Sequence, residues 1–66
     1  MNRIDITVGD DPDYHYVVTA QSDGYAVTYH QENLHHDISF GSLQEMEQVA
    51  KAMLLVVNAA KEANLK

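Results

Sequence analysis

The residues of this 66-residue chain best suited to chemistry are His15, His30, His35 and His36, with Asp37 directly after them. Imidazole is a common zinc ligand and the side chain that most readily moves protons near neutral pH. A four-residue loop after Ala20 and a two-residue turn at Glu32-Asn33 would bring His15 opposite His30, and His30 opposite His35. Three imidazoles would then stand in a row on one face of a sheet, with Cβ atoms roughly 5 Å apart. They are the candidate metal ligands, with Asp37 as the fourth. A two-residue Asp23-Gly24 turn would instead put Val17 opposite His30 and break the row. None of these spacings is a known zinc motif, so the expectation is solvated surface histidines and no metal or other cofactor.

The other reactive residues have local explanations. Asp10, Asp11 and Asp13 flank Pro12 in an acidic turn, without the spaced ligands, central Gly and distal Glu of a calcium loop. Ser22, Ser39 and Ser42 read as a turn residue, a strand residue and a helix cap. There is no P-loop, dinucleotide fingerprint or helical His/Glu pair. With no cysteine, thiolate chemistry and disulfides are excluded. His36 is expected half-buried and hydrogen-bonded near Tyr16 and Tyr29, and the four tyrosines are expected to pack a core. No catalytic residues are assigned, and the chain is not expected to be an enzyme.

The elements that would position these groups follow from periodicity. Residues 3–8 alternate, with Ile4, Ile6 and Val8 on one face, and read as a strand. Residues 14–20 and 25–30 alternate in the same way, placing Tyr14, Tyr16, Val18, Ala20, Tyr25, Val27 and Tyr29 on the apolar side. A shorter strand at 35–40, within the segment from Leu34, adds Ile38 and Phe40. Facing Val18 with Val27 requires an even number of loop residues between the two strands, so two or four fit and three does not.

Ser42 and Glu45 form an S-x-x-E capping box that opens a helix over 42–64, with Lys61 and Lys66 at its negative end. Leu43, Met46, Ala50, Met53, Leu54 and Val57 make one apolar stripe. Val49, Ala52, Val56, Ala59 and Ala63 make a second beside it. The expectation is a single α+β domain over 1–66: a two-layer arrangement of a three- to four-stranded antiparallel meander with one C-terminal helix packed across it. The sheet would take the first stripe and leave the second as a homodimer interface.

Certain segments resemble the YoaG-like family of small uncharacterised enterobacterial proteins. They are Tyr16-Val17-Val18-Thr19, Ser22-Asp23-Gly24 before Tyr25-Ala26-Val27-Thr28-Tyr29, and Glu47-Gln48-Val49-Ala50-Lys51-Ala52-Met53-Leu54, spanning roughly 14–61. The resemblance implies a bacterial, homodimeric protein of sheet plus helix, with no assigned activity or functional residues. The segment at 34–40 and the first strand extend beyond that pattern.

Charge narrows the partners. Ten acidic against four basic residues give a net charge of -6, which opposes direct binding to nucleic acid or anionic membrane. The longest apolar run, Ala52 to Val57, is far short of the roughly 20 residues of a membrane span, and the expected location is cytoplasmic. Three functional readings follow. The first is a non-enzymatic homodimeric interaction or regulatory module. The second is an acidic inhibitor that occupies a basic, nucleic-acid-binding protein surface. The third is a small histidine-based metal-binding protein.

Overall fold

In the computed structural model, described over residues 3–65, strands β1 (Arg3–Asp11), β2 (Tyr14–Gln21), β3 (Gly24–Gln31) and β4 (Leu34–Phe40) precede one helix, α1 (Leu43–Glu62). The strands form a four-stranded antiparallel sheet in the order β1-β2-β3-β4. The class is therefore α+β, a meander followed by a C-terminal helix, as the alternation and capping signals require. Lys66, read as a helix-end cation, lies outside the described residues.

Register follows from the turns. His15 pairs with His30, Val18 with Val27 and Ala20 with Tyr25. This is the register of the four-residue alternative, but Gln21 also pairs with Gly24, so the loop contracts to Ser22-Asp23. His30 pairs with His35 and Gln31 with Leu34 around Glu32-Asn33. Glu32 takes a positive φ of 54° there, a conformation that reverses the chain within two residues.

β1 runs past its expected end at Val8. Its register against β2 shifts between Val8 and Asp11, where Gly9 adopts φ 115°. Such a bulge adds a residue to one strand and lets pairing resume. The acidic turn expected over 9–13 is thus a bulge followed by a two-residue Pro12-Asp13 loop. The Asp11 carboxylate accepts from the Asp13 amide at 2.8 Å and closes it.

At the other end of the chain, the Ser42 hydroxyl accepts from the Glu45 amide at 3.0 Å. The Glu45 carboxylate accepts from the amide of Gly41, one residue earlier than in the usual reciprocal box, at 2.6 Å. Asn64, at φ 59°, donates to the Lys61 carbonyl, and Leu65 donates to that of Ala60. This pair of bonds is the Schellman closure, with Asn in the left-handed position.

The helix does not cover the sheet. Its backbone approaches only β3 and β4, and Leu43 sits at the margin of the sheet beside Ile4, Ala20 and Tyr25. No described side chain is fully buried. Leu43, Met46, Ala50, Met53 and Val57, expected against this sheet, include only one that is even half-buried, Met46. His36, expected half-buried beneath the helix, is exposed for the same reason. The Cα radius of gyration is 13.7 Å, whereas a compact chain of this length would have about 11 Å.

Candidate interaction surface

Alternation and register together build one continuous apolar face. Its cross-strand rows are Ile4–Ala20–Tyr25–Phe40, Ile6–Val18–Val27–Ile38 and Val8–Tyr16–Tyr29–His36. Tyr16 and Tyr29 lie with ring centroids 4.6 Å apart, and His36 lies parallel to Tyr29 at 6.5 Å. The central strands give some shelter, but Ile4 remains 66% and Ile38 62% exposed. Each aliphatic side chain left in water forgoes about 1.5–3 kcal/mol of transfer free energy. Against the few kcal/mol a domain this small has to spare, a face of this size left in water is a large deficit.

The helix carries the matching deficit. Met53 is 64% exposed, and Leu54, Leu55 and Val56 are equally open to solvent. Val49, Ala52, Met53, Val56 and Val57 line a shallow apolar depression. Three of the five residues assigned to a dimer interface, Val49, Ala52 and Val56, contribute to it. Ala59 and Ala63 continue the same stripe toward the C-terminus and are exposed. Such a patch marks an interaction surface when it is contiguous and rimmed by polar residues. Gln44, Gln48, Lys51 and Glu62 supply that rim on the helix.

The opposite sheet face assembles the histidine row as the register requires. The rings of His15 and His30 stack with centroids 4.6 Å apart and planes 17° apart. His30 and His35 are 6.1 Å apart and tilted by 38°. Stacked rings turn their faces, not their nitrogens, toward one another. His15 Nδ1 lies 3.1 Å from the Asp11 carbonyl oxygen. Asp37, the fourth candidate ligand, lies 3.9 Å from His35 Nε2 on its own strand. Among the described residues, no group of three or more His, Asp or Glu side chains is arranged to hold a metal ion.

Two features escaped the pattern of residue types. Gly9 lies beside His15 on the outer face, where a Cβ would come within 3.2 Å of the His15 Cβ; the bulge gives that imidazole its room. The β1–β2 and β3–β4 turns also meet at one end of the sheet. The Tyr14 hydroxyl donates to Glu32 Oε1 at 2.6 Å, and the Glu32 amide donates to the Asp13 carbonyl at 2.7 Å. The hydrogen bond to Glu32 stabilises the neutral phenol and pushes the Tyr14 hydroxyl above its ordinary pKa. Asp10, Asp11, Asp13 and Glu32 consequently gather at one tip. Nothing in the types of these residues announced that meeting, which depends on the two hairpins lying side by side.

No helix is long and apolar enough to cross a membrane among the described residues. Neither a family model, nor a curated protein, nor a solved structure matches the chain, so the likeness to the YoaG-like family rests on the quoted segments alone.

Proposed function

We propose that this protein is a non-enzymatic interaction module that works as a homodimer. One observation carries the reading: an apolar sheet face and an apolar helix, both built by regular patterning, are left in water by the single chain. Patterning this regular is costly to solubility unless the surfaces are covered in the working state. A second copy is a partner that is always present. It offers each surface its complement, and a closed two-fold contact needs no further component. The absence of motif support for catalysis agrees with this. Sedimentation and melting test the proposal together. A mass near twice 7.4 kDa and a melting temperature that rises with protein concentration are expected. A monomeric mass at high micromolar concentration would refute it.

The second reading, an acidic inhibitor of a basic nucleic-acid-binding surface, is supported by the tip where Asp10, Asp11, Asp13 and Glu32 come together. It expects capture of a basic partner that weakens steeply with salt. Replacing Asp10, Asp11 and Asp13 by Asn together should abolish the capture without changing the mass of the protein. Capture that is unaffected would remove this reading.

A further inference from the structure

We infer that the occupant of the open sheet face is helix α1 of a second copy, so that two chains exchange helices. The inference rests on the homodimer reading and specifies its geometry. Three observations carry it.

The first is area. The chain exposes 5650 Å², whereas a folded monomer of its mass exposes about 4,200 Å². The excess, roughly 1,400 Å² per chain, is well above the ~800 Å² per partner of a standard interface and falls in the range of obligate dimers. A small accessory contact would not absorb it. Mutual cover of both apolar surfaces would.

The second is fit. The 20 residues of α1 extend about 30 Å at ~1.5 Å per residue. Strands of seven to nine residues run roughly 23–30 Å at ~3.3 Å per residue. Helix and face match in length. The apolar arc of the helix also exceeds what one sheet face covers. One stripe can therefore lie on the partner's sheet while Val49, Ala52, Val56, Ala59 and Ala63 meet the partner's helix.

The third is the elbow. Only Gly41 and Ser42 separate Phe40 of β4 from Leu43 of α1. Both are strapped to the first turn, Gly41 through Glu45 Oε1 and Ser42 through the Glu45 amide. A two-residue link held in this way directs the helix away from its own sheet. A short connection between a sheet and a helix that lies off it is where exchange between copies can occur.

The chain has no cysteine, so introduced thiols report proximity without background. Two single variants, Ile38→Cys at the centre of the sheet face and Met53→Cys at the middle of the helix, are co-refolded in equal amounts and oxidised when dilute. One of the two carries a tag. Exchange predicts a disulfide-linked pair containing one copy of each variant. Lys51→Cys, on the polar side of the helix, should give no such pair with Ile38→Cys. Circular dichroism of each variant establishes that the fold is retained.

The outcomes separate the two levels of the proposal. A dimeric mass with no mixed pair, and with Val56→Cys linking to itself, overturns exchange and leaves a side-by-side dimer standing. An internal disulfide in the double variant Ile38→Cys/Met53→Cys, running as a monomer, overturns exchange in favour of a helix closed on its own sheet. A mass of one chain throughout overturns the homodimer itself.

Discussion

At the scale of single residues, the outer sheet face shows how a few polar contacts are set by register. Asp5 stands opposite Thr19, whose hydroxyl, together with the Arg3 guanidinium 2.9 Å away, holds its carboxyl below the usual carboxylate pKa. A depressed folded-state value means stability that is present above the unfolded value and lost as pH falls through the folded one. Asp5→Asn should therefore lower the melting temperature slightly at pH 7. The gap to the unaltered protein should close below about pH 4, the ordinary carboxylate range. Melts of both proteins across pH 3–7 check this, and a gap that widens on acidification would contradict it. The glycines make a second contrast. Gly9→Ala places a Cβ at φ 115°, against His15, and should cost about 1–2 kcal/mol from the left-handed conformation alone. Gly24→Ala meets open space and should be neutral or stabilising by up to about 1 kcal/mol. Urea denaturation distinguishes the two.

At the scale of elements, most of the fold was legible. Alternation marked every strand, because a sheet with one apolar face imposes a period of two on its residues. Loop parity narrowed the register to two choices, of which the structure takes the one that aligns His15, His30 and His35. The helix boundaries lie within two residues of those read from Ser42, Glu45 and the following apolar periodicity. Ser42→Ala should cost about 1 kcal/mol, since the Glu45 amide loses its acceptor. The loss of helical signal at 222 nm should move to lower temperature, and an unchanged melt would argue against a working cap. The end of β1 was not legible. A bulge is a single backbone irregularity at Gly9, and the Gly-Asp-Asp-Pro-Asp composition there is equally that of a turn.

At the scale of the whole molecule, the legible part stops at a definite boundary. Periodicity identifies which side chains require cover, but it is silent on who supplies it. The natural assumption, that the helix of a chain covers the sheet of the same chain, assigned Leu43, Met46, Ala50, Met53 and Val57 to an internal core. The elbow at Gly41-Ser42 sends them elsewhere, and that elbow is a matter of backbone direction over two residues. The histidine row was found for the opposite reason: register alone determines it. A substitution at Ile38 makes the whole-molecule claim measurable. On an exposed surface of a self-sufficient monomer, Ile38→Asp should change stability by no more than about 0.5 kcal/mol. On a face covered by a partner it should cost several kcal/mol and reduce the mass by sedimentation from twice 7.4 kDa to one chain. A variant that remains dimeric with an unchanged melt would show that the face is not part of the assembly.

If a second copy covers it, as proposed, the apolar face also ties the survival of the protein to its dosage. A chain that completes its core only by meeting another has no fixed stability of its own; protection from unfolding grows with the number of copies present. In such a homodimer, chains at low expression would offer their apolar strands and helix to the proteases and chaperones that clear unfinished proteins. As synthesis rises, copies would shield one another and accumulate. A protein built in this way is removed when scarce and persists when abundant, so its level in the cell would switch with synthesis rate more sharply than a self-contained domain of the same size.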